Sequence, residues 1–160
     1  MATSLSAVEL FFLILLSTNI PTILIYWLFS LRSIRWYKET LQRPWWTIPW
    51  YISGPMWLVG HSLVAVGYWL LRKNSDNYST IVAPSVVFYV AMPLVPVAYG
   101  FYYVMQFVEA GVAILSFAAI SWITASILFF VWSGWLSAIL VVPLILWICY
   151  KFVWHVALIP

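Results

Sequence analysis

Very few side chains in this sequence are equipped for chemistry, and most of them lie in apolar surroundings. Ser53, Trp57, His61, Val64 and Tyr68 recur at helical spacing, which places them on one face of one helix. His61 has two readings there: a neutral imidazole bonded across helices to a hydroxyl or carbonyl, or a group that touches a ligand or carries a proton. Pro143, Trp147, Tyr150 and Trp154 share a second helical face. Such a stripe serves either core packing or a wall of rings for a flat ligand. Lys151 and His155 stand one turn apart near the end of the chain. A lysine in that place is expected to run its stem over apolar neighbours and set its ammonium at an interface. Glu109 opens another apolar run, where a carboxylate suits a helix N-terminus.

What is missing narrows the reading. No Cys, His, Asp and Glu residues fall at metal-ligand spacing. The six glycines form no Gly-x-Gly, so neither a P-loop nor a dinucleotide fingerprint occurs. Paired carboxylates in the apolar runs and a Ser–His–Asp set are absent as well. The expectation is therefore no enzyme: no catalytic residue, no metal ligand and no cofactor. Aromatic and aliphatic interiors suit a flat apolar ligand better than an ion. Cys149 is the single cysteine, so no internal disulfide can form. The net charge of +3 is concentrated in loops, not spread over a broad basic face, so no nucleic-acid partner is expected.

The elements that must position these residues are membrane helices. The chain is 66% hydrophobic and only 7% charged, against about 25% charged in an ordinary soluble domain. Leu10 to Leu31, Pro44 to Leu71, Asn77 to Val108 and Ala110 to Tyr150 contain no Asp, Glu, Lys or Arg. A bilayer core of ~30 Å takes roughly 20 apolar residues per helix, and the last run is long enough for two. The reading is an all-α, five-helix transmembrane bundle with a structured first loop, forming a single domain over residues 1–160. Its helices are expected at 8–31, 51–71, 81–104, 108–131 and 136–156. Pro93 and Pro96 should kink the third helix. Trp132-Ser-Gly-Trp135 reads as a tight turn before the fifth. Gly54, Gly60, Gly67, Ala65, Ala118, Ala119 and Ala125 are the small residues expected at helix contacts. The first helix is expected to stay in place, because no basic residue precedes it and it exceeds a signal-peptide core. The first loop carries Arg32, Arg35, Lys38 and Arg43, and Lys151 shares its side. Arg72 and Lys73 lie on the other side, which puts loop 1 in the cytoplasm.

At the junction of loop 1 and helix 2 the residues form a pattern. Arg35-Trp36-Tyr37 is followed by Leu41-Gln42-Arg43-Pro44-x-Trp46, then Pro49, then Gly54-Pro55-x-Trp57. This resembles the translocator protein family (TspO, the peripheral-type benzodiazepine receptors). Pro143-x-x-x-Trp147 and Pro84 are similar to prolines and a tryptophan that the family carries in its fifth and third helices. The resemblance implies a receptor or transporter that binds flat hydrophobic ligands: tetrapyrroles such as porphyrins, sterols and benzodiazepine-like compounds. The ligand-binding residues it points to are Trp46, Trp57, His61 and Trp147. Its implied partners are the lipid bilayer and a porphyrin or sterol ligand, and it leaves a homodimer open. It also brings the light-driven porphyrin breakdown credited to bacterial members, for which Trp57 and Trp147 stand at tryptophan positions; no acid–base groups accompany them. The location it implies is the mitochondrial outer membrane in a eukaryote, with a secretory membrane or bacterial cell membrane as alternatives.

The sequence departs from the family pattern at several places. His61 stands where the family has Tyr, and His155 where it has Asn. Ala91, Val95 and Ala98 stand where the family has a polar Gln…Asn…Trp pattern facing its cavity, and Ile114 replaces an acidic residue. Tyr150 and Lys151 are adjacent, which breaks the proposed cholesterol motif, although Arg35-x-Tyr37-x-x-x-Leu41 is a reversed version. The alternative function is a non-catalytic structural or assembly subunit whose pocket has degenerated.

Overall fold

A run of uncharged residues in a bilayer can satisfy its backbone only within a helix or a closed barrel. In the computed structural model, which describes residues 6–39, 42–74 and 78–158, this chain takes the helical solution. The elements are α1 (Ala7–Arg32), α2 (Ile34–Glu39), α3 (Trp50–Asn74), α4 (Tyr78–Tyr99), a π-helical turn (Gly100–Val104), α5 (Val108–Ser133), α6 (Trp135–Ile139) and α7 (Val142–Val156). No strand occurs among the described residues. Five helices are long and apolar enough to cross a membrane: Ala7–Leu28, Tyr51–Asn74, Ile81–Val104, Val108–Ser133 and Trp135–Val156. Leu41 of the loop motif and the polar turn at 75–77 lie outside the described residues.

Phe12, Leu16, Ile23, Phe117, Ile127, Phe130, Leu146 and Val153 all face outward and are well exposed. An apolar exterior of that extent has no place in water and is what lipid tails would cover. The protein is an integral multi-pass membrane protein built as an all-α five-helix bundle.

Local sequence sets the helix ends. Ser6 and Glu9 form a capping box at the start of α1. The Glu9 N–H donates to Ser6 Oγ at 3.2 Å, and the Ser6 N–H donates to Glu9 Oε2 at 2.8 Å. Gly134, at φ 87°, ends α5, and its N–H donates to Phe130 O at 3.0 Å, giving the tight turn that the Trp-Ser-Gly-Trp run announces. The helix expected over 136–156 is in fact two, α6 and α7. Pro143 lies in the first turn of α7 and has no N–H to continue the ladder. At the break the Ala138 carbonyl accepts from the Val141 N–H at 3.0 Å and from Ser126 Oγ at 3.2 Å.

Packing runs in a closed ring. Helix α1 lies against α3, α3 against α6 and α7, these against α5, α5 against α4, and α4 back against α1. The most extensive seam is α4 with α5, and both faces follow a three-four rhythm. On α5 it is Gly111, Leu115, Ala118, Trp122, Ala125 and Phe129. On α4 it is Phe88, Ala91, Val95 and Ala98, all buried, running on to Tyr102 in the π-turn. A Cβ on Gly111 would lie 2.9 Å from Tyr102 Cβ and 3.1 Å from the Ala98 carbonyl, so the backbones meet there because glycine lets them. Ala65, Ala118 and Ala125 are fully buried, and Ala119 packs against the same core.

Loop 1 is structured where it is described. Its Pro44–Thr47 turn closes through the Thr47 N–H to Pro44 O at 3.1 Å. Two bonds then fasten it to α7: the Ile48 N–H donates to Tyr150 OH at 2.9 Å, and Trp154 Nε1–H donates to Thr47 Oγ1 at 2.8 Å. Ser33 Oγ, just before α2, donates to the Tyr103 carbonyl.

Candidate functional site

Near loop 1 the helices separate enough to leave an inner cavity. Its walls are Thr22, Ile25 and Tyr26 of α1, Ser53 and Trp57 of α3, Val95, Pro96 and Tyr99 of α4, Tyr103 of the π-turn and Lys151 of α7. Each wall follows from helical spacing: Thr22 to Tyr26, Ser53 to Trp57, and Val95 to Tyr99 are each one turn apart. The cavity measures ≈ 20 Å³, room for about one water. On its other side Thr22 and Tyr26 also border a groove of ≈ 320 Å³ between α1 and α3, together with Ile23, Trp27, Gly54, Pro55 and Leu58. Ile23 and Trp27 are exposed, so this groove faces the lipid. The Tyr26 ring separates the two spaces and rests on Gly54, where a Cβ would lie 2.9 Å from the ring carbon Cζ.

The four residues singled out by sequence are placed differently from one another. Trp57 lines the cavity, is 3% exposed, and donates from Nε1 to Tyr99 OH at 3.0 Å. Trp147 meets Trp57 edge to face at 6.1 Å between ring centres and stacks on Tyr150 at 5.1 Å, behind the cavity wall. Its Nε1–H is buried without a hydrogen-bond partner among the described residues. His61 is fully buried one turn deeper than Trp57. Its Nδ1 lies 2.8 Å from the Trp57 carbonyl of the same helix, to which an N–H there donates, and 3.5 Å from Thr22 Oγ1 of α1. The expected cross-helix bond is thus the long contact, and the short one is local. Nε2 of His61 has no partner among the described residues. Trp46 stands edge-on to Tyr150 at 5.8 Å and belongs to the fastening of loop 1, not to the cavity wall.

Three expectations about neighbouring residues are corrected. Ala91 and Ala98 are buried in the α4–α5 seam, and only Val95 of that trio reaches the cavity. Pro143 points outward, because the buried face of α7 is Leu144, Trp147, Ile148, Lys151, Trp154 and His155. Lys151 does not snorkel. It is 3% exposed, with Nζ 5.1 Å from the Trp147 ring centre, 5.8 Å from Tyr150 and 5.0 Å from Trp154. His155 packs beside it among Tyr102, Trp154 and Tyr99, at 4.1, 4.9 and 5.9 Å. The sequence reading missed Thr22, Tyr26, Tyr99, Tyr103 and Lys151. The signal available for Lys151 was its place one turn after Trp147, on the face that also carries Leu144 and Ile148.

This arrangement can stack planar rings, offer a few hydroxyls and present one amine. Among the described residues no group of His, Cys, Asp and Glu could hold a metal ion. Fold and cavity together define the class: a polytopic helical membrane protein with a small aromatic cavity inside the bundle, next to a lipid-facing groove. No family model matches the chain, and no curated protein matches it in sequence.

Proposed function

We propose that the protein is a translocator-type membrane receptor or transporter for flat hydrophobic ligands such as tetrapyrroles and sterols. The observation that carries this reading is the pairing of the ≈ 320 Å³ lipid-facing groove with the inner aromatic cavity across a shared wall of Thr22 and Tyr26. The groove is of the size that small-molecule sites occupy, roughly 300–1,000 Å³. A ligand dissolved in the bilayer reaches it without crossing water. Rotation of the Tyr26 ring off Gly54 then joins the two spaces and brings the ligand against Trp57 and Tyr99. Trp147 and His61 support Trp57 from behind, and Trp46 holds loop 1 onto α7.

Family membership is part of the same proposal and rests on the loop 1 motif, which ends in Gly54-Pro55-x-Trp57, the stretch that forms the groove and the cavity wall. With it goes a location in the mitochondrial outer membrane, or the corresponding envelope membrane of a bacterium, and loop 1 on the cytoplasmic side. The binding reading needs no catalysis.

Protoporphyrin titrated into the protein in nanodiscs tests the proposal. Saturable quenching of tryptophan fluorescence with a shifted porphyrin absorption band is expected at micromolar ligand, and Trp57→Phe should weaken it several-fold. A flat titration would favour the second reading, an assembly or structural subunit, which the ≈ 20 Å³ volume of the inner cavity supports.

A further inference from the structure

We propose that the ligand of the inner cavity is an apolar acid, and that the amine of Lys151 receives its carboxylate. This deepens the ligand-binding reading above and rests on it.

Among the described residues Lys151 is the one basic side chain on the cavity wall, which it shares with Ser53 and Trp57 of α3 and Tyr99 of α4. It lies five residues before the end of α7 at Val156, roughly 7.5 Å along the axis at 1.5 Å per residue. Its stem is long enough to approach the membrane surface, yet it turns into the bundle and is 3% exposed. No ion pair to Nζ occurs among the described residues. No hydrogen bond to Nζ occurs among them either.

Placing an ammonium in such a site is costly unless it is paired. The three rings around Nζ, all on α7, return part of the cost through their faces. Ring faces supply no lone pair comparable to a carboxylate for three N–H donors. For packing alone, a methionine or leucine would fill the position without that cost. The unmet requirement is a single negative charge carried on an apolar body. A single amine balances one carboxylate, whereas a doubly charged phosphate would ask for more donors than this wall presents. Ser53 borders the same space, and its hydroxyl can serve the second carboxylate oxygen.

The test compares protoporphyrin, which carries two carboxylates, with its dimethyl ester, which carries none. Both are titrated into wild type, Lys151→Met and Lys151→Arg in nanodiscs, with empty nanodiscs subtracted. In wild type the acid should bind at least 10-fold more tightly than the ester. Lys151→Met should lose at least 10-fold for the acid, keep the ester within about 2-fold and so abolish the preference, while Lys151→Arg keeps it. Equal binding of acid and ester to wild type overturns the inference and leaves the ligand-binding reading standing. So does an acid preference that survives Lys151→Met. Failure of both compounds to bind wild type overturns the two together. The wild-type comparison decides by itself if a variant does not fold.

Discussion

Replacing Gly67 by alanine should loosen the bundle where α3 crosses α6. A Cβ at that position would lie 2.8 Å from the Ser137 carbonyl oxygen, 3.5 Å from Leu140 Cβ and 3.8 Å from Phe129 Cδ2. The oxygen is backbone and cannot rotate away, so α3 must retreat by roughly half an ångström to restore ordinary contact. A gap of that size forfeits about a quarter of the dispersion attraction across the contact. The loss is shared by the rest of the α3 face, because Gly60 sits just as close to Leu144, with a Cβ there 3.0 Å from Cδ1. Overpacking of this kind costs about 1–3 kcal/mol. Alanine recovers ~1 kcal/mol as the better helix former, which leaves a net loss of up to about 2 kcal/mol. Two other glycines provide the scale. At Gly54 the obstacle is the Tyr26 ring, whose far end can swing, and at Gly100 the nearest atom is Ile25 Cδ1 at 3.7 Å. Unfolding by SDS in mixed micelles, followed by tryptophan fluorescence, should rank Gly67→Ala well below both. If Gly67→Ala unfolds at the wild-type midpoint, the backbone contact between α3 and α6 does not limit how closely these helices pack, and the reasoning fails.

Three further outcomes can be checked. Gly134→Ala meets no atom within 4 Å, yet its φ of 87° with ψ of −179° is a conformation that alanine resists, so a loss of about 1–3 kcal/mol is expected from backbone strain alone; a neutral result in the same assay would show that the α5–α6 turn rearranges freely. Trp154→Phe removes the bond from Nε1 to Thr47 Oγ1 and should speed chymotryptic cleavage after the exposed Trp45 severalfold while the helices stay protected; unchanged cleavage would mean that the fastening to Tyr150 suffices. Lys38→Cys, made in a background where the exposed Cys149 is changed to serine, should react with an impermeant maleimide from the cytoplasmic side of intact organelles or cells; reaction only after permeabilisation would invert the topology.

The helices were legible because lipid leaves the chain little choice. Absence of charge located every span, and the end of the third span and the start of the fourth match their expected positions at Val104 and Val108. The break between α6 and α7 was missed, although Pro143 was in view, because proline in a membrane helix bends or interrupts it according to which donors its surroundings offer the carbonyls nearby. Here Ser126 of another helix donates to the Ala138 carbonyl at the break. The Ser53–Trp57–His61–Val64–Tyr68 stripe was read correctly as a buried face. The seam residues Ala91 and Ala98 were misread because a small residue facing a cavity and one facing a helix look the same in sequence. Lys151 was misread for a related reason. A lysine near a helix end ordinarily follows its charge to water, and only the three rings placed around it by α7 show where this one goes.

The small size of the inner cavity bears on both readings of function, but the polar groups around it separate them. A bundle filled for structure alone gains nothing from leaving hydrogen-bonding atoms inside without partners, since each costs about 1–3 kcal/mol. Among the described residues His61 Nε2 and Trp147 Nε1 are buried without partners, immediately behind Trp57. The Lys151 amine stands on the cavity wall with the faces of three rings around it and no ion pair among the described residues. Asn19 Oδ1 of α1 and, inside the α4–α5 seam, Trp122 Nε1 are buried without partners as well. Unmet atoms are thus spread through the bundle, and among the described residues the amine on the cavity wall is that of Lys151. It is this buried amine that favours a site completed by a ligand over a pocket in decay, because a decaying pocket would be expected to fill with apolar side chains.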